Sequence, residues 1–201
     1  MLKGDFMNTK NNQRYKDTEN LIQITLLELA KTTDIRRVTI RAICDHAGTN
    51  RSTFYAHYLD INDLVDQMGQ RMMQDIAALF RDADSPMDFF LTEALLAKMI
   101  SYVKEHRDFF DIYLNHYRRS ADESFSLLWK DWSHPYIQSL GVSDEAESWY
   151  HFTFFKAGFL AVLSQWIQNG CPESPEAIAH IILKRLPLSP SVSAASQNAQ
   201  S

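Results

Sequence analysis

The chain has 201 residues, of which 45% are apolar and 22% charged; that is enough to bury a core without disulfides or metals and too apolar for an intrinsically disordered protein. No apolar run approaches the roughly 20 residues that span a bilayer, the segment MLKGDFMNTKNNQ lacks the hydrophobic stretch of a secretory signal, and Cys44 and Cys171 are too few and too far apart for a disulfide or zinc scaffold. These features predict a reduced, cytoplasmic protein with no membrane partner. The net charge of −5 is unevenly spread: residues 1–60 carry nine Lys and Arg against seven Asp and Glu, so a slightly basic N-terminal third precedes an acidic body.

The chain reads as helices, with the six Gly and six Pro falling at boundaries. A flexible stretch, 1–13, is expected to precede a first helix from about Tyr15 to Lys31. Thr39 N-caps a short helix that stops before Gly48, and Asn50 N-caps another from Arg51 to Tyr58. Asp60 caps a long helix to about Phe80, with Asp63 placed to suit its dipole. Pro86 opens a helix to about Glu105, and shorter pieces cover 106–116 and 122–140, the second ended by Gly141. Ser143 caps an apolar helix to Asn169, stopped by Gly170 and Pro172. Ser174 and Pro175 start a last helix that Pro187 ends, and the small, polar tail 188–201 is expected to be disordered. About nine helices and no alternating strand pattern give an all-α architecture.

The informative segment is 38–65, VTIRAICDHAGTNRSTFYAHYLDINDLV. Two short helices meet at Gly48 with only a few residues between them, which is the grammar of a helix-turn-helix. Ile43, Cys44 and Ala47 fall at i, i+1 and i+4, and Phe54 and Tyr58 at i and i+4, so these five form one small core. Arg41, Arg51, Ser52, Thr53, Tyr55 and His57 are left facing outward. Arg forks to guanine, and Ser, Thr and amides at a helix N-terminus suit phosphates. The alternatives are a solvated Arg51 at a turn, a Tyr55 that only packs, and a surface His57 without a role. Cys44 lies on the inward face, where a thiol packs rather than senses redox state.

The run Thr39-Ile40-Arg41, Ile43, Ala47-Gly48, Ser52-Thr53-Phe54-Tyr55, His57-Tyr58 and Asp63-Leu64 resembles the DNA-binding domain of tetracycline-repressor-type (TetR/AcrR) transcriptional regulators. The resemblance covers about 14–65 in detail, and Phe159-Leu160 and Trp166 to Gly170, followed by Ser174-Pro175-Glu176, carry a weaker likeness. It implies a helix-turn-helix domain over 14–62 and a helical regulatory and dimerisation domain over 63–187. It further implies a homodimer whose paired recognition helices enter successive major grooves of a palindromic double-stranded DNA operator. Carried over by position, Thr39 and Arg41 lie at the backbone or groove edge. Thr49 and Asn50 to Thr53 face bases or phosphates, and Tyr55 and His57 hold phosphates. The family usually carries a Lys at the position of Ile61, where it contacts a phosphate. One such contact is therefore missing here, unless Arg36, Arg37 or the N-terminal Lys residues compensate.

The body is rich in aromatics, most of which fill a core. Tyr102, Phe109, Tyr113, Tyr117, Trp129, Trp132 and Phe155 are the candidates for lining a small-molecule effector pocket, because an aromatic cavity with a few polar tips suits a ligand. On the 143–169 helix, Ala157, Ala161 and Ser164 lie near one face with Gly158 beside it. On the last helix Ile178, Ile181 and Ile182 form an apolar stripe. The resemblance places these two helices in the dimer interface, and packing within their own domain is the alternative. Enzyme readings do poorly: no His-Asp pair, no Glu with His three residues on, no His-Glu-x-x-His and no phosphate-binding glycine loop occurs, so no catalytic, cofactor or metal site is expected. The predicted protein is a DNA-binding transcriptional repressor released by a small effector. The same fold controlled by a protein partner is the rival reading.

Overall fold

The computed structural model describes residues 4–81, 92–126, 142 and 144–184. Among these there are nine α-helices and no strand: α1 (Gly4–Ala30), α2 (Ile40–Ala47), α3 (Arg51–Tyr55), α4 (Ile61–Arg81), α5 (Glu93–Glu105), α6 (Arg107–His116), α7 (118–126), α8 (Glu145–Gln168) and α9 (Pro175–Leu183). The chain divides into two compact units, 1–69 and 70–201, and the division falls inside α4. The first helix starts at Gly4 rather than near Tyr15. Its added turns are polar but hold no Pro, and Gly4 lies at the very start, so nothing in them interrupts a helix. The Pro86 start, the 122–140 helix beyond 126, Gly141, Ser143, the Pro187 stop and the 188–201 tail lie outside the described residues.

In the first unit, Ile22 and Leu26 of α1 are buried together with Ile35 of the following 3₁₀ turn (Ile35–Arg37) and its C-cap Val38. Ile43, Cys44 and Ala47 of α2, Phe54 and Tyr58, and Leu64, Val65 and Met68 of α4 complete a buried core. The five-residue mini-core read from sequence is therefore buried throughout. Asp60 and Asp63 secure the start of α4 reciprocally: Asp60 Oδ1 accepts from the Asp63 amide at 2.8 Å, and Asp63 Oδ2 accepts from the Leu59 amide at 2.7 Å.

In the second unit, α9 lies along α5 and α8 along α6. Ser174 caps α9 by accepting from the Ala177 amide at 3.2 Å, with Pro175 in its first turn. Asp144, not Ser143, caps α8, accepting from the Glu147 amide at 2.8 Å. A carboxylate is the stronger acceptor at the positive end of a helix. Between α8 and α9 the chain reverses through Gly170 and Cys171, both left-handed at φ 81 and 54, and the Cys171 amide bonds back to the Trp166 carbonyl at 2.9 Å.

The inner face of α8 carries a charge that the sequence pattern did not reveal. Lys156 is 6% exposed, and its Nζ donates to Asp122 Oδ2 and Ser126 Oγ of α7, each at 2.9 Å, with the Phe152 ring 5.2 Å away. Removing the acid strands a buried ammonium, whereas removing the Lys leaves a half-exposed carboxylate that water can solvate. Asp122→Ala is expected to cost about 1–3 kcal/mol in urea unfolding, toward the lower end because Asp122 is half exposed. Lys156→Met is expected to cost far less. Equal losses would mean that packing volume, not the charge pair, governs this joint.

Candidate nucleic-acid interface

Two short helices are held at a fixed angle by what lies between them. Thr39 Oγ1 accepts from the Ala42 amide at 3.2 Å and starts α2. Gly48 ends it at φ 62, a left-handed conformation that any β-carbon would strain. Asn50 starts α3: its Oδ1 accepts from the Thr53 amide at 2.8 Å, the Ser52 hydroxyl at 2.5 Å and the Thr53 hydroxyl at 3.1 Å. Phe54 then plugs the core, and α3 stops at Tyr55, three residues before the predicted Tyr58. The chain must turn there for Tyr58 to reach the same core, where its Oη accepts from Gln23 Nε2 at 3.0 Å.

The outward surface carries Arg41, Arg51, Ser52 and Tyr55, all exposed. Arg41 Nε lies 3.5 Å from Asp45 Oδ2, an exposed pair that exchanges readily for a phosphate. Thr39 and Asn50 are exposed, but their side-chain oxygens already cap helices; Thr49 and Thr53 are half-buried. They therefore position the surface more than they extend it.

His57 is less exposed than the other outward residues. It is half-buried, with its ring 3.9 Å from that of Tyr15, and its Nδ1 is buried without a partner. Burial holds its pKa below the ordinary histidine value, with Glu19 pulling the other way. Tyr15, at the predicted start of α1, supplies that ring, a contact that the sequence reading did not assign. Arg36, named as a substitute for the missing Lys, is already engaged by Asp34, Nε to Oδ1 at 3.0 Å. Cys44 is buried and burial pushes its thiol pKa up, with Arg51 opposing, so it packs as an inert side chain.

The predicted effector residues that fall among the described residues have the following surroundings. Phe109 and Tyr113 are fully buried and stacked at 5.0 Å, and Tyr113 and Ser124 share an Oη–Oγ hydrogen bond of 2.9 Å. Tyr102 donates to Asp75 Oδ2 at 2.8 Å, and burial together with that bond pushes its phenol pKa up. Phe155 stacks on Phe159, and Tyr117 is half-buried. Trp129 and Trp132 lie outside the described residues. No metal-binding group of His, Cys, Asp or Glu occurs among the described residues, and no described helix is long and apolar enough to cross a membrane.

The dimer candidates also separate. Ile178 and Ile182 are buried within their own unit, because α9 turns that edge of its stripe toward α5; Ile181 remains 47% exposed. Ser164 is half-buried and donates to Asn115 Oδ1 at 2.6 Å, while Ala157 and Ala161 are exposed with Gly158. The same side of α8 presents two residues that the small-residue reading missed, Tyr150 at 73% and Phe154 at 85% exposure. Their spacing from Ala157 and Ala161, i and i+4 then i+7 and i+11 counted from Tyr150, was the available signal.

Residues 25–68 match the model for bacterial regulatory proteins of the tetR family, and residues 92–186 match the model for a transcriptional regulator C-terminal region. The chain belongs to the TetR family of transcriptional regulators. Its relatives are transcriptional regulators rather than enzymes. An uncharacterised helix-turn-helix-type transcriptional regulator of Bacillus subtilis (strain 168), YxbF, is 25% identical over 169 residues, 82% of this chain and 43% of that protein. The chain thus spans less than half the length of the curated relative it matches. A TetR transcriptional regulator from Streptococcus agalactiae 2603V shares the fold with a TM-score of 0.63 at 14% identity, covering 88% of this chain and 97% of that one. The dihydroxyacetone kinase operon activator DhaS does so with a TM-score of 0.53 at 17% identity, covering 83% and 92%.

Two substitutions test the interface. Arg51→Ala is expected to cost about 1–3 kcal/mol in DNA binding and to relax base preference at one position of each half-site, read by competition between retained fragments. Ile61→Lys is expected to tighten binding to all duplexes and to steepen the dependence of log affinity on log salt by about one unit. An unchanged slope would mean that position 61 does not face the backbone.

Proposed function

We propose that the protein is a homodimeric transcriptional repressor that occupies a palindromic operator and leaves it when a small molecule binds its second unit. The observation that carries the dimer is the outer face of α8. Tyr150 and Phe154 expose large rings beside Ala157, Gly158 and Ala161, and small residues next to large ones let two such helices approach and interdigitate. A second copy supplies the matching surface through a two-fold axis, with Ile181 of α9 as a further apolar contact. Two recognition helices held about one turn of DNA apart then read the two half-sites, with Arg51 and Ser52 at base edges or phosphates and Arg41, Tyr55 and His57 at the backbone.

Repression needs no contact beyond occupancy, since a protein seated across two major grooves excludes others from that DNA. It acts where bacterial DNA lies, in the cytoplasm. Release follows when a ligand prefers a dimer whose recognition helices are wrongly spaced, and the shift is bounded by its differential affinity for the two states. Tyr102 and Tyr117 are the half-buried aromatics at which such a ligand meets polar tips. A second reading, control by a protein partner, is favoured by the close packing of Phe109 and Tyr113, which leaves those rings to the core.

Sedimentation of wild type beside Phe154→Glu tests the assembly. Phe154 makes little contact within its own chain, so a charge there leaves the fold intact but is desolvated in an interface. Wild type is expected to be dimeric at micromolar concentration, and the variant to be monomeric with an unchanged unfolding curve and weak operator binding. A wild-type monomer at tens of micromolar would overturn the paired-groove mechanism. A reporter behind the recovered operator separates repression, with higher output on deletion of the protein, from activation.

A further inference from the structure

Tyr15 of α1 reaches the recognition segment at two points. Its Oη donates to the Ala56 carbonyl at 3.3 Å, and its ring lies 3.9 Å from the His57 imidazole at an interplanar angle of 32°. Ala56 is the C-cap of α3, so one side chain grips both the end of the recognition helix and the ring that follows it. The contact belongs to a stripe. Tyr15, Glu19 and Gln23 follow one another at i, i+4 and i+8 on α1: Tyr15 takes Ala56 and His57, Glu19 bears electrostatically on His57, and Gln23 bonds Tyr58.

The imidazole itself is constrained. Its Nδ1 is buried without a partner. An N–H at that position would be an orphaned donor, which costs more than a bare lone pair, so the neutral ring carries its proton on Nε2. A second proton would have to sit on Nδ1 with no acceptor. The titratable groups that face the ring are Tyr15 and Glu19 from α1 and Tyr58 from its own segment.

We propose that Tyr15 is a positioning residue of the DNA interface: it stacks on His57 and clamps the end of α3, so that His57 meets a DNA phosphate as an oriented, neutral Nε2–H donor. The proposal rests on the reading that His57 reaches the backbone. Burial holds the ring's pKa below the ordinary histidine value, which favours the neutral form and exchanges long-range attraction for direction.

The test is a double-mutant cycle on the full chain, using a random-sequence duplex at low salt, which reads phosphate contacts without requiring the operator. Tyr15→Ala and His57→Ala are each expected to weaken binding about tenfold, and the double variant no more than either alone. Tyr15→Phe, which keeps the ring, is expected to recover most of the loss. In Tyr15→Ala the His57 imidazole NMR titration moves up toward the ordinary histidine midpoint. Affinity then rises more steeply than in wild type as pH falls through that midpoint, because a freed ring gains a charge beside phosphate. Tyr15→Leu repeats the measurement should the alanine variant unfold. Multiplying losses, or wild-type affinity in Tyr15→Ala beside a weakened His57→Ala, would overturn the role of Tyr15 while leaving His57 at the backbone. Wild-type affinity in His57→Ala would overturn both.

Discussion

A helix of five residues does not hold its own shape in water, because its few hydrogen bonds do not offset the ordering of the chain. Everything the first unit does therefore depends on the plug beneath α3, where Phe54 and Tyr58 close over Ile43, Cys44 and Ala47. The burial of two rings fixes the axis of α3. Asn50 fixes where it begins, and Gly48 fixes the angle at which the chain arrives. Arg51, Ser52 and Tyr55 have their directions set from below, so their orientation comes before any contact with DNA. Binding then loses less side-chain freedom than it would on a loop.

The second unit shows the same economy with opposite geometry. The inner face of α8 carries Phe152, Phe159, Leu163 and Trp166, while its outer face carries Tyr150 and Phe154. A helix apolar on both sides belongs inside a larger body, and the described residues of one chain cover only one side. Lys156 fixes the rotation of α8 against α7, because its buried ammonium finds two acceptors there. A charge in such a place is weak as a stabiliser and strong as a register mark. The rotation it enforces is the one that keeps Phe154 outward.

Much of this was legible in the sequence. Thr39, Gly48, Asn50 and Ser174 announce helix ends by chemistry that acts within four residues, and all four act as the sequence predicted. The mini-core was legible because its five members lie within 16 residues and share two helical periods. What failed was of longer range. The stack of Tyr15 on His57 joins positions 42 apart, and no local pattern marks it. The Ile178–Ile182 stripe was visible, but its direction was not, since that depends on α5 lying alongside. Lys156 was hidden because a lysine in an apolar helix reads as one polar position until its partners on α7 are placed.

The charge arrangement explains how an acidic chain handles a polyanion. Two exposed cations of the helix-turn-helix are matched, Arg36 by Asp34 and Arg41 by Asp45 one turn on, while Arg37 and Arg51 are exposed beside them. Counterion release scales with the number of phosphates neutralised, so a surface with few unmatched cations binds arbitrary DNA weakly. The contacts that remain, from Arg51 and from hydroxyl and ring donors held in fixed directions, count only when the groove presents acceptors in the right places. Weakening the indiscriminate term lowers absolute affinity but widens the ratio of specific to non-specific binding, and that ratio decides occupancy among the many competing sites of a genome.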